Sequence, residues 1–135
     1  MFKSFRKKLI KGLLIMFFTN ETKTSWEIND IEVSINVDHI VNAKYYENSG
    51  LVAYLAGQNP HNPERLVVFN VAGKEIFDIG KPNGYLYIYL SSHPKAEVVV
   101  VCGVVDIENS NESWSDFYFG LNQETGKLEK LGVAR

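Results

Sequence analysis

From Trp26 to Leu131 the apolar positions fall in short runs, alternating or continuous, and the runs are punctuated by Asn, Gly, Pro or Ser. A period of two with breaks of that composition marks successive β-strands. The runs predict strands over 32–36, 42–46, 51–56, 66–71, 75–79, 85–90, 97–105, 116–121 and 127–131. No segment after residue 20 keeps a helical period, so the body reads as all-β. The N-terminal segment has a different pattern. Phe2, Phe5, Leu9 and Leu13 recur at helical spacing, with Lys3, Lys7, Lys8 and Lys11 on the other side, which predicts a basic amphipathic helix over residues 1–18. Gly12 weakens that helix. The unbroken apolar run Leu13 to Phe18 offers an alternative, a buried strand.

Within the body the pattern repeats. Residues 48–57 and 94–103 share an apolar strand that ends in glycine, at an offset of 46 residues. Each is preceded by a tyrosine-rich strand, Lys44-Tyr45-Tyr46 and Tyr85 to Tyr89. Each is followed by a polar loop, Gln58 to Pro63 and Glu108 to Ser113, then by a third strand, then by a Gly-Lys turn into a fourth: Gly73-Lys74 and Gly126-Lys127. Four strands in this order resemble a β-propeller blade, and Asp116 to Gly132, with its aromatic strand and Thr-Gly-Lys turn, carries the resemblance furthest. Propellers close with four to eight blades. Two units cannot close, so the resemblance implies a scaffold with exposed loops rather than a central channel. The expected fold is therefore mainly β: two four-stranded antiparallel sheets packed as a sandwich about 10 Å apart, within a chain or between chains, plus the N-terminal helix.

Composition sharpens this picture. A chain of 135 residues is one domain, divided by the pattern into a helix (1–18), a first β unit (26–80) and a second (81–135). The single cysteine, Cys102, lies inside the apolar run Val98 to Val105, so no disulfide framework exists and a buried, inert thiol is expected. The net charge of -2 conceals a division. The first eleven residues hold Lys3, Arg6, Lys7, Lys8 and Lys11 and no acid, whereas the rest of the chain is acidic.

Chemistry-bearing patterns are scarce. His39, His61 and His93 stand apart, each in an expected turn, and none forms a zinc or His-x-Glu motif. No glycine-rich phosphate loop opens a helix. Neither a metal nor a cofactor is expected, and an enzyme would need a site assembled from those three histidines. The tyrosines could stack on bases, but such sites need a cationic groove; the acidic body argues against nucleic acid.

The acids are the more informative group. Asp106, Glu108, Glu112 and Asp116 surround Trp114, and no Lys or Arg occurs from 96 to 126. Carboxylates around a large aromatic anchor fit a binding surface for a cationic protein. Glu27, Asp30 and Glu32 form a second acidic stretch beside Trp26. The expected function is a small cytoplasmic, non-enzymatic binding module, monomer or homodimer, with an immunity protein that neutralises a basic nuclease toxin as its specific form. The alternative is a peripheral membrane protein, in which Phe2, Phe5, Leu9 and Leu13 insert at a lipid surface instead of packing on a sheet. The apolar run is too short and too interrupted by Lys11 for a span or a cleaved leader.

Overall fold

The computed structural model describes residues 14–106, 108 and 114–134, with side chains from residue 19 onward. Among the described residues eleven strands follow one another: β1 (Leu14–Thr19), β2 (Lys23–Ile28), β3 (Ile31–Asn36), β4 (Ile40–Tyr46), β5 (Leu51–Ala56), β6 (Arg65–Asn70), β7 (Glu75–Gly80), β8 (Tyr85–His93), β9 (Ala96–Val104), β10 (Asp116–Asn122) and β11 (Lys127–Val133). They form three antiparallel meanders in chain order: an N-terminal sheet β1-β2-β3, a central sheet β4-β5-β6-β7 and a C-terminal sheet β8-β9-β10-β11.

The two expected four-stranded antiparallel sheets are present as β4–β7 and β8–β11, but the two-sheet sandwich is corrected: the expected first unit, 26–80, also takes in part of β2 and all of β3, which with β1 form a third sheet. The helix over 1–18 is corrected in part: residues 14–18 belong to strand β1, paired with β2 from Leu14↔Ile28 to Thr19↔Thr24. Phe2, Phe5, Leu9 and Leu13 lie outside the described residues. An unbroken apolar run satisfies both a helical stripe and a strand, so its pattern does not choose; pairing with β2 does. Strand β2 was not anticipated, although Thr24, Trp26 and Ile28 alternate with Lys23, Ser25 and Glu27.

The central sheet is covered on both faces, and its sequence shows why. All six residues of β5, Leu-Val-Ala-Tyr-Leu-Ala, are buried, as a continuous apolar strand requires. Leu51, Ala53, Leu55, Leu66 and Val68 face one core with Tyr87, Val98, Val100, Cys102, Phe117 and Phe119 of the C-terminal sheet. Val52, Tyr54, Ala56, Val67 and Phe69 face the other, with Trp26 and its neighbours Ile28, Val33 and Ile35 from the N-terminal sheet. The molecule is thus a stack of three layers with two cores.

Large aromatics fill both cores, and their polar tips are satisfied, as burial demands. The Trp26 indole donates to Val71 O at 2.7 Å. The Tyr46 hydroxyl donates to Ser91 O at 2.6 Å and lies 3.2 Å from Val99 O. The Tyr87 hydroxyl lies 2.8 Å from Gly80 O and 3.0 Å from Ile79 O, and the Tyr54 hydroxyl lies 2.8 Å from Thr24 Oγ1.

The sheets meet in a repeated way at their last turns. Gly73, at φ +92°, sits against β3, where an added Cβ would lie 2.9 Å from Val33 Cγ1. Gly126, at φ +74°, sits against Phe77 of β7, where an added Cβ would lie 3.4 Å away. Each Gly-Lys turn therefore seats on the final strand of the preceding sheet, and only glycine offers both the left-handed backbone and the missing side chain. Alternate connections of a meander lie at the same end. The β4–β5, β6–β7, β8–β9 and β10–β11 turns gather at what we term the hairpin end. The β3–β4, β5–β6, β7–β8 and β9–β10 connections gather at the loop end.

Candidate partner-binding surface

The β9–β10 connection, where the sequence places its acids, is held at its base by the backbone. Val104 N–H donates to Ser115 O at 2.8 Å, Val105 N–H to Gly84 O at 3.0 Å, and Ala134 N–H to Asp116 O at 2.9 Å. The Trp114 indole is tethered by its Nε1–H to Ala134 O at 3.2 Å, yet the residue is 46% exposed. This is neither the folded-back core residue that tryptophan often becomes nor a free ring; it is an anchored, half-open aromatic face. Val105 beside it is 59% exposed. Asp106 and Glu108 are exposed and Asp116 is half-buried at the start of β10. Glu112 lies outside the described residues.

The meander topology adds acids from the other sheets, which linear inspection did not gather. Glu21 precedes β2, Asp38 sits in the β3–β4 turn, Glu64 closes the β5–β6 loop, and Asp78 lies near the end of β7. All reach the loop end with Asp106, Glu108 and Asp116. Among the described residues the cations there are Lys23, Arg65 and Lys81; Arg65 and Lys81 have side-chain partners. Arg65 pairs with Asp78, with Nε 2.9 Å from Oδ1, and this carboxylate raises the guanidinium pKa still further above its ordinary value. Lys81 Nζ donates to Asn62 Oδ1 at 3.1 Å, tying the β7–β8 linker to the β5–β6 loop. The signal that could have found this surface is parity: in a meander, every second connection returns to the same end.

Two open clefts lie at opposite ends. At the loop end, Asp38, His39, Gln58, Glu64 and Arg65 line one of about 370 Å³. At the hairpin end, a groove of about 620 Å³ runs between the β4–β5 turn and the β8–β9 hairpin, with Lys44, His93 and Lys95 balanced by Glu47 and Glu97.

The three histidines are distributed over three connections. His39 occupies the β3–β4 turn with φ +59°. His61 is exposed in the β5–β6 loop. His93 ends β8, accepts Lys95 N–H at Nδ1 and packs on Tyr118 with ring centres 5.0 Å apart. Among the described residues no group of three His, Cys, Asp or Glu is placed to hold a metal ion. Cys102 is buried, and burial pushes its thiol pKa up to about 12, the opposite of what a nucleophile needs. No helix of the described residues is long and apolar enough to cross a membrane. No protein-family model, no curated protein and no solved structure matches this chain.

Proposed function

We propose that the chain is a non-enzymatic binding protein whose acidic loop end docks a cationic protein, in the specific form of an immunity protein that occludes a basic, nuclease-type toxin. The observation that carries this reading is charge segregation. Glu21, Asp38, Glu64, Asp106, Glu108 and Asp116 share one end with few cations, and the half-open Trp114 stands among them. A field of one sign steers a cationic partner and raises its association rate. Carboxylates on a rigid end can also occupy the sites where such a partner binds phosphate. Trp114, tethered but open, supplies the apolar anchor that binding hot spots concentrate.

The experiment is titration of the chain with the purified product of the neighbouring reading frame. We expect a complex whose dissociation constant rises at least tenfold between about 50 and about 500 mM salt. It should rise again for Asp106→Lys/Glu108→Lys and for Trp114→Ala. A neighbouring product that is not cationic, or a complex indifferent to both salt and charge reversal, would sink the reading.

A further inference from the structure

The turn contacts between sheets fix which strands correspond. Gly73, in the β6–β7 turn, lies against Val33 and Ile35 of β3, where an added Cβ would stand 2.9 and 3.7 Å from their methyl groups. Gly126, in the β10–β11 turn, lies against Phe77 of β7 in the same way. Strand β3 is therefore to the N-terminal sheet what β7 is to the central one, its last strand. Counting back, β2 answers to β6 and β1 to β5. The counterpart of β4 and β8 is the one missing among the described residues, where β1 pairs on one side only, with β2. Strand β1, Leu-Ile-Met-Phe-Phe-Thr, shares the continuous apolar composition of its counterpart β5, Leu-Val-Ala-Tyr-Leu-Ala. Both β5 and β9 lie between two strands. An apolar strand of this kind left as an edge is an open template for aggregation.

We propose that residues 3–10 of the same chain lie antiparallel to β1 along its free edge and complete a third four-stranded sheet. Length is the first argument. Ile40 to Gly50, from the start of β4 to the residue before β5, is eleven residues, and Tyr85 to Lys95, from the start of β8 to the residue before β9, is eleven again. Thirteen residues precede β1, enough for the same strand and turn. The second argument is the turn. Gly50, at φ +64°, closes the β4–β5 turn, and Gly12 offers the same backbone freedom just ahead of β1. The third is composition. Natural sheets blunt an edge with charged side chains, lysine above all. Residues 14–19 carry no charge, whereas Lys3, Arg6, Lys7, Lys8 and Lys11 precede them.

Connectivity selects the same chain over a second copy. The segment joins Leu14 directly, so its effective concentration at the edge is about millimolar or higher, and a turn over 11–13 falls at the hairpin end, where the β4–β5 and β8–β9 turns lie. The basic segment is then the rim of the N-terminal sheet instead of a lipid anchor. This inference stands independently of the proposed toxin partner.

Nuclear magnetic resonance of the full chain tests it. Residues 3–10 should show the Cα and Cβ shifts of an extended strand, and their α-protons should give cross-strand Overhauser contacts with those of residues 14–18. These contacts should persist on about tenfold dilution and be absent from spectra that select contacts between a labelled and an unlabelled copy. Lys7→Pro/Lys8→Pro puts a proline at a hydrogen-bonding position in either register. The contacts should then be lost while those between β5 and β6 remain, and aggregation from the bared β1 edge, followed by light scattering, should quicken about tenfold. Helical shifts over residues 3–10, an absence of contacts with β1, or contacts that survive the two prolines overturn the proposal. So do contacts found only between copies, which would put a second copy's segment or its β1 on this edge.

Discussion

The hairpin end and the loop end are built from the same strands, yet they are held and charged differently. At the hairpin end the turns are fastened by side chains. Asn70 Oδ1 accepts the N–H groups of Ala72 and Lys74, each at 3.0 Å. Asn122 Oδ1 accepts those of Glu124 and Thr125 at 2.9 and 3.2 Å. Trp26 grips Val71 O, and Tyr46 binds carbonyls on β8 and β9. The charges there are mixed, with Lys44, Lys74, Lys95 and Lys127 near Asp30, Glu47, Glu75, Glu97 and Glu124. The loop end has longer connections, and its charge is predominantly negative. Fastened turns with mixed charge serve packing, because like charges alone would strain a tight end. A predominantly negative surface costs self-repulsion, and docking of a cationic partner is the use proposed for it.

This contrast can be broken most severely at Trp26. Trp26→Ala empties a fully buried site and leaves Val71 O without its donor, so we expect a loss of about 3–5 kcal/mol by urea denaturation. An effect below about 1 kcal/mol would mean that the turn is not held by this contact. Next come the two tyrosines that clamp opposite ends. Tyr46→Phe and Tyr87→Phe each remove a hydroxyl from buried carbonyls, and each should cost about 1–3 kcal/mol. If only one is costly, the clamps are not equivalent and one end opens first.

Alkaline titration probes the same core. Burial holds the Cys102 thiol up to about 12 and lifts the Tyr46, Tyr54 and Tyr87 phenols above their ordinary range. Each group keeps its proton in the folded chain after the unfolded chain has lost it. The unfolded state then binds fewer protons, and stability falls as pH rises. The loss begins near pH 9 for Cys102 and near pH 10 for the tyrosines, at about 1.4 kcal/mol per pH unit for each group. Cys102→Ala should flatten the first part of that fall, measured as the urea midpoint from pH 7 to about pH 10.

The smallest expected effect lies at the loop end. Glu108→Lys should change stability by less than about 0.5 kcal/mol, while altering binding. A larger loss of stability would show that this carboxylate serves the fold.

Much of the fold was legible because its strands announce themselves. The continuous runs at β5 and β9 and the Gly-Lys turns at Gly73 and Gly126 are local features, fixed by burial on both faces and by left-handed backbone. The offset of 46 residues between the two glycine-ended strands maps onto β5 and β9, which hold equivalent places in their sheets. The third sheet was less legible. Its first strand is apolar throughout and so carries no period, and its second alternates over only Thr24, Trp26 and Ile28. In the sequence Trp26 stands out for its acidic neighbours, whereas its ring is buried and its partner is Val71, 45 residues away. The candidate surface was legible only along the chain. Asp106, Glu108, Trp114 and Asp116 are close in sequence, but Asp38 and Glu64 join them through topology, which composition does not encode.

The two-sided burial of β5 has one more consequence. Its amides are hydrogen-bonded within the central sheet to β4 and β6, and its side chains lie under both neighbouring sheets. No partial opening that leaves those layers in place exposes the strand, so hydrogen exchange there reports complete unfolding. One strand in the middle of the chain thereby serves as a gauge of the cooperativity of the whole molecule.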